Sequence, residues 1–301
     1  MNKGIASKTS AFMMVFPFVL CFLLFWAIPV VVGIYASLHN WNLSSGNNGF
    51  VGLQNYIDIL TPGSLYNEYF IVALKNTLLF VVISVPPLVI IALILALIID
   101  QLPKRLKPLF RTIYFVSYSI SVTAVSAIFL WLFNENGGFF NNLLVSSGIL
   151  KEPISWLSQQ PYAWVSVLIA TVWWTIGFNM MLFINAIDEV DPSLYEAADL
   201  DGANFFAKFF YIILPQIRNV ALFIVIMTVI ASFNLYGQSK LITAGGPEQS
   251  TTSLTMNIQN TVMNMNQLGA GSAMAMLMGF IMLFITAAQY FMGRTKEKGG
   301  A

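Results

Sequence analysis

Six stretches of the chain stay apolar long enough to cross a bilayer, near residues 11–38, 72–99, 110–133, 162–187, 217–238 and 271–293. Each is close to or above the roughly 20 apolar residues that a ~30 Å hydrocarbon core demands of a helix. Backbone N–H and C=O groups in lipid must pair within their own segment, so such runs predict helices. The pattern predicts an all-α polytopic membrane protein with six transmembrane helices. The first run, Ala11 to Leu38, follows Lys3 and Lys8 as a secretory signal would. It far exceeds the ~7–15 residues of a signal's apolar core, and reads as an uncleaved, tilted span with Pro17 and Pro29 as places for bends.

Composition agrees with the pattern: 57% of the 301 residues are hydrophobic and 9% charged, against about 25% charged in an ordinary soluble domain. A net charge of +1 offers no basic surface for nucleic acid. One cysteine and one histidine exclude a disulfide framework and a zinc site. Cys21 reads as a small core residue, and His39, just past the first run, as an interfacial hydrogen-bonder.

Lysine and arginine set the orientation. With both tails and the second and fourth loops on one side, that side holds Lys3, Lys8, Lys104, Arg105, Lys107, Arg111, Lys208, Arg218, Arg294, Lys296 and Lys298, against Lys75, Lys151 and Lys240 opposite. The positive-inside rule then predicts cytoplasmic tails, 1–10 and 294–301, around a membrane domain 11–293. None of the six runs contains Asp or Glu. An intramembrane carboxylate is the usual relay of proton-coupled carriers, so a secondary carrier is disfavoured, as is a membrane enzyme, which would need an acid, a nucleophile or metal ligands near the bilayer.

Six of the 13 acids fall in one cytoplasmic loop, 188–216: Asp188, Glu189, Asp191, Glu196, Asp199 and Asp201. Asp191 suits an N-cap, Pro192 the first helical position, and Gly202 the left-handed residue that stops a helix. After Gly202, helical spacing places Phe205, Phe206, Phe209, Phe210 and Ile213 on one face, with Pro215 expected to end that segment before the fifth span. Such a loop can lie in the lipid headgroups or receive another protein. Ala197 and Ala198 beside Glu196 leave room for close backbone approach, and long loops with their own capped helices tend to be functional.

These residues carry a resemblance. Glu196-Ala197-Ala198, Gly202, Ile212 and Leu214-Pro215 fit the signature E-A-A-x3-G-x9-I-x-L-P at every fixed position, and "LYEAADLDGA" is similar to its carbohydrate branch. With "WNLSSG" at 41–46, "FVGLQNY" at 50–56 and "TAGGP" at 243–247, nearly the whole chain resembles the permease subunits of ATP-binding-cassette (ABC) importers, in particular the first permease of maltose-type heterodimeric sugar importers. It departs from them at Ala244, where they usually carry glycine, and in "FVSYSIS", which lacks a common proline. The resemblance implies a type I ABC importer permease fold in a bacterial or archaeal cytoplasmic membrane. It implies a coupling loop at Glu196, Ala197, Ala198, Asp199, Gly202, Phe205, Phe206, Leu214 and Pro215, docked on one of two ATPase subunits. A second permease and an extracytoplasmic sugar-binding protein, met by Trp41, Trp156 and the outer loops, complete the implied assembly. The chain has no G-x4-G-K-[ST] loop, so ATP and Mg would be held by the partner ATPase, and no cofactor, catalytic residue or metal ligand is expected here.

A sugar path needs apolar faces for ring CH groups and a few hydrogen-bonding side chains. The candidates are Ser117, Tyr118, Ser119, Ser121 and Thr123 in the third run, Trp173, Trp174, Thr175, Phe178 and Asn179 in the fourth, and Ser232, Asn234, Tyr236 and Gln238 at the end of the fifth; Tyr118, Trp174, Phe178, Asn179, Ser232, Asn234, Tyr236 and Gln238 are the eight favoured. Each could equally glue helices together. A polyol or glycerol-phosphate cargo stays open as the alternative; an anion would call for arginine, and the runs offer only Arg111 and Arg218, at their ends.

Overall fold

The computed structural model describes residues 3–298; residues 1–2 and 299–301, the outer ends of the expected tails, lie outside the described residues. Five helices are long and apolar enough to cross a membrane: Phe12–Ser37, Leu65–Asp100, Tyr162–Asp188, Phe205–Phe233 and Leu268–Gly293. A sixth crossing is made if the pair Lys107–Ser119 and Val122–Leu132, bent by 95°, counts as one span.

The third run is therefore not the single helix that 110–133 predicted. Ile120 is extended, and Ser121 caps the second half by accepting from the Ala124 N–H at 3.3 Å. The indole N–H of Trp174 donates to the Ile120 carbonyl at 2.9 Å, and Ser117 donates to the Trp174 carbonyl at 3.3 Å. Backbone groups freed at the break thus find partners on the neighbouring helix, the condition for a break at membrane depth.

The fifth helix begins at Phe205, not near 217, and ends at Phe233, not 238. Pro215 does not end the segment that precedes it. A π-turn, Phe209–Ile213, stands just before it, and Leu214 N–H bonds to the Phe209 carbonyl. The first helix repeats the device: π-turn Leu23–Ala27, Ile28 N–H to Leu23 carbonyl, then Pro29. In both, the carbonyl a proline ring would strike, four residues back, lies in the widened turn, so the helix continues. The second helix starts at Leu65 and continues through Pro86 and Pro87.

The chain divides into two compact units, Met1–Phe70 with Ile258–Phe280, and Ile71–Asn257 with Ile281–Ala301. In the first, an antiparallel hairpin, His39–Asn42 with Gly46–Phe50, is added to the helical fold. "FVGLQNY" is what ties it down: Asn55 donates to the carbonyls of Ser37 and His39 at 2.8 and 3.0 Å, and Tyr56 to the Ser37 hydroxyl at 2.8 Å. His39 Nδ1 lies 2.7 Å from the Tyr35 carbonyl. No residue in the most apolar stretch of the first helix is buried within the chain, and Cys21 is exposed rather than core. The stretch that holds it faces outward from the chain, and the run is buried only near its end, at Ala36 and Ser37.

In the second unit, stripes at helical spacing meet in one cluster: Ala92, Ala96 and Ile99; Ile176, Met180, Phe183 and Ile187; Ile213, Ile217 and Ile224. Lipid removes the hydrophobic drive between helices, so close packing over small residues holds them. Gly177 shows how close: a Cβ there would lie 2.1 Å from the Tyr114 carbonyl oxygen. Trp156 belongs to a knot inside its own loop. Asn141, 2% exposed, accepts from the Trp156 indole at 2.9 Å and the Ile154 N–H at 3.0 Å.

Candidate functional site

Between the fourth and fifth long helices stands a short helix, Pro192–Leu200, whose ends are sealed locally. The Asp191 side chain accepts from the Ser193 N–H at 2.9 Å, which holds its carboxyl below the usual range. That cap is in force above the ordinary carboxylate pKa and is lost as pH falls through the lowered one. At the other end Gly202 N–H bonds to the Asp199 carbonyl and Ala203 N–H to the Ala198 carbonyl, a Schellman closure. Gly202 sits at φ +71° in open space, so the backbone alone demands glycine.

The helix stands out from the chain. Glu196, Ala197 and Asp199 are exposed, Ala198 is half-buried, and Leu200 is 91% exposed. Tyr195 reaches back, packing against the cluster formed by the second, fourth and fifth helices. Its hydroxyl is buried without a hydrogen-bond partner, and burial, then the nearby Asp100 carboxylate, push its pKa up. Asp100 pairs with Lys107 at 2.7 Å, and Arg111 with Asp188 at 2.9 Å, joining the ends of the second, third and fourth runs.

Past the glycine, Asn204 caps the fifth helix by accepting from the Ala207 N–H at 2.8 Å, and Lys208 donates to Asp199. The single phenylalanine face that helical spacing predicts is split. Phe209, Ile212 and Ile213 join the core cluster, whereas Phe205, Phe206 and Phe210 are exposed, Phe206 by 68%. The fifth helix turns inward only from Phe209, so the earlier aromatics extend the exposed surface of the short helix. Leu214 is half-buried and Pro215 exposed.

A cavity of about 480 Å³ lies in the second unit. The eight favoured candidates, Tyr118, Trp174, Phe178, Asn179, Ser232, Asn234, Tyr236 and Gln238, line it, as does Thr175, whereas Ser117, Ser119, Ser121 and Thr123 do not. The break in the third run brings Tyr118 in, and its ring stacks on Phe178 at 5.1 Å and 23°. Because the fifth helix stops at Phe233, Asn234 and Tyr236 line the cavity from the break that follows it, and Gln238 from the start of the next helical segment. Thr171 and Thr228 also line it and were missed; each stands four residues before a polar neighbour, Thr175 and Ser232, a helical-face signal that was there to read. Trp173, by contrast, meets Phe129 edge to face at 5.7 Å, and does not line the cavity.

The lining side chains divide by what they already hold. Asn179 donates to Thr228 at 3.0 Å, Ser232 shares a 3.0 Å hydrogen bond with Ser84, and Trp174 is spent on Ile120. Asn234 donates to Ile230 in its own helix at 2.8 Å. The Tyr118 and Tyr236 hydroxyls and the Gln238 amide make no side-chain hydrogen bond among the described residues.

Residues 71–298 match the family described as "Binding-protein-dependent transport system inner membrane component". The chain is 32% identical to the probable ABC transporter permease protein YurN of Bacillus subtilis (strain 168), covering 90% of this chain and 91% of that one. It is 28% identical to the arabinooligosaccharides transport system permease protein AraP of Halalkalibacterium halodurans, over 98% and 90%. A solved bacterial ABC transporter involved in importing the acidic polysaccharide alginate superposes with a TM-score of 0.82 at 21% identity, over 97% and 98% of the two chains.

Proposed function

This chain belongs to the family of binding-protein-dependent transport system inner membrane components, and from that premise we propose that it is a permease subunit of an ATP-driven carbohydrate importer. It forms one half of a translocation path and receives an ATPase subunit on the helix Pro192–Leu200. One observation carries the docking role: a helix capped at both ends and tied to the fifth long helix and the core by Lys208–Asp199 and Tyr195, that still leaves Leu200 and Phe206 bare. An exposed apolar surface on a rigid projection is a seat for another protein. The carbohydrate reading draws on the similarity to a permease named for arabinooligosaccharides and on the aromatic-and-amide lining of the cavity.

The mechanism follows from where the parts are fixed. ATP and Mg bind on the partner ATPases, whose closure draws together two such helices, one on each permease. Tyr195, Lys208 and the inward residues Phe209 and Ile213 are the links that turn this motion into tilts of the second, fourth and fifth helices around the cavity. A binding protein delivers the sugar from the side opposite the basic residues, and both termini lie with the ATPases in the cytoplasm.

The test is reconstitution. This chain, its partner permease and the ATPase in liposomes, supplied with binding protein and ATP, accumulate labelled mono- or oligosaccharide, and this chain alone accumulates none. Sustained accumulation by the chain alone overturns the reading. In a Cys21→Ser background, an impermeant thiol reagent on intact cells labels Ser158→Cys but not Leu200→Cys; the reverse overturns the orientation.

A further inference from the structure

We propose that the cavity selects an uncharged, hydroxyl-bearing ring and excludes anions, with Tyr118, Tyr236 and Gln238 as the residues that read it; this rests on the permease reading above.

The exclusion follows from charge. None of the side chains lining the cavity is Lys, Arg, His, Asp or Glu. Arg111 is occupied by Asp188, and neither Arg218 nor Lys240 reaches the lining. A phosphate or carboxylate entering this half of the path would exchange its hydration for phenyl rings, methyl groups and neutral amides, with no opposite charge to meet. A neutral sugar has no such deficit, because hydroxyls pair with amides and phenols at little cost.

The reading residues follow from the division of hydrogen bonds. Asn179, Ser232 and Trp174 hold helices to one another or to the break in the third run, so the Asn179 amide N–H group, the Ser232 hydroxyl and the Trp174 indole N–H are spent on packing. Tyr118, Tyr236 and Gln238 keep theirs, and these include a primary amide, which offers two donors and an acceptor, and two phenols, which do both. They share the cavity wall with the Tyr118–Phe178 stack, whose rings are of the kind that covers the CH side of a sugar ring. The volume, about 480 Å³, lies in the ~300–1,000 Å³ range of small-molecule sites.

The experiment uses the complete transporter in nanodiscs, with Cys21→Ser and Thr175→Cys placing one thiol of this chain on the cavity wall. Methanethiosulfonate reagents of similar size, neutral hydroxyethyl and anionic sulfonatoethyl, are compared, each rate normalised to free cysteine. The sulfonate is expected to be slower by about tenfold or more, as one unpaired buried charge implies, and adding Gln238→Arg restores its rate. Equal rates overturn the exclusion, and no reaction by either reagent overturns the cavity as a solute site.

In liposomes, Gln238→Ala and Tyr236→Phe raise the KM for sugar about tenfold, the equivalent of one hydrogen bond, at unchanged yield of complex. Asn179→Ala instead lowers that yield. An unchanged KM in both reading variants overturns their role. Should the complete transporter move no sugar while the sulfonate is still excluded, the importer reading falls and the cavity's selectivity stands.

Discussion

Lys208, in the first turn of the helix Phe205–Phe233, donates a charge-assisted hydrogen bond to Asp199 in the last turn of Pro192–Leu200, clamping the two helices across the glycine turn. The lysine is largely covered and the aspartate exposed. Such a pair is worth at most about 1 kcal/mol. Lys208→Met is therefore expected to lower coupled uptake only partly and leave the complex intact; complete loss of ATPase binding would show that Lys208 contacts the partner itself.

Gly202→Val strikes harder. Nothing lies within 4 Å of the added Cβ, so the cost is backbone strain at φ +71°, about 1–2 kcal/mol for a β-branched residue, and it re-aims the helix bearing Glu196. Glu196→Lys reverses an exposed charge without touching the turn. Both are expected to insert normally and to lose most ATPase co-purification and uptake. Wild-type transport by either would count against the docking surface.

Tyr195→Phe removes a buried hydroxyl that has no partner. The protein should be as stable or up to about 1 kcal/mol more stable, with transport retained, by thermal unfolding in detergent and by uptake. The sign of its pH dependence follows from the raised pKa. The phenol's contribution is full below its ordinary value of 10.0 and is lost as pH rises through the higher folded value. Tyr195→Phe should therefore flatten the alkaline fall in stability between those two values, and an unchanged fall would assign it to other groups.

Gly177→Ala and Gly279→Ala form a matched pair. At Gly177 a methyl would lie 2.1 Å from the Tyr114 carbonyl oxygen and 2.7 Å from its carbonyl carbon, whereas at Gly279 nothing lies within 4 Å. The first should lose about 1–3 kcal/mol by forcing two helices apart, with the cavity distorted and uptake reduced. The second should be neutral or slightly stabilising, since alanine is the better helix former. Equal unfolding temperatures for the two would refute the close contact.

Ala244 holds φ +52°, and the glycine beside it, Gly245, has its Cβ position 2.5 Å from the Thr252 hydroxyl. Ala244→Gly is expected to raise the unfolding temperature, by up to about 1 kcal/mol of relieved strain. Gly245→Ala is expected to lower it. Opposite signs from adjacent residues are the outcome to look for in one thermal-shift series.

The short helix was legible in the sequence because capping is local: Asp191 meets Ser193, and Ala203 meets Ala198, within a few residues. The long apolar runs were legible for a similar reason, since lipid dictates helix length and composition from outside the chain. Eight polar and aromatic candidates for the cavity could be named from helical position, but not sorted. Sorting them took contacts between distant segments, Asn179 with Thr228, Ser232 with Ser84, and Trp174 with Ile120, 54 residues apart. The same distance hid the break in the third run, where a neighbouring indole supplies the hydrogen bond that the helix gives up. Pro215 misled for a subtler reason: a π-turn moves the carbonyl that its ring would strike, and no residue pattern announces it. What the sequence determined by itself is therefore the presence of long apolar helices and the capped projection, because solvent and nearest neighbours decide both. Tertiary structure alone decided which polar side chains remain free to meet a solute, because a hydrogen bond spent between helices cannot be offered to a ligand.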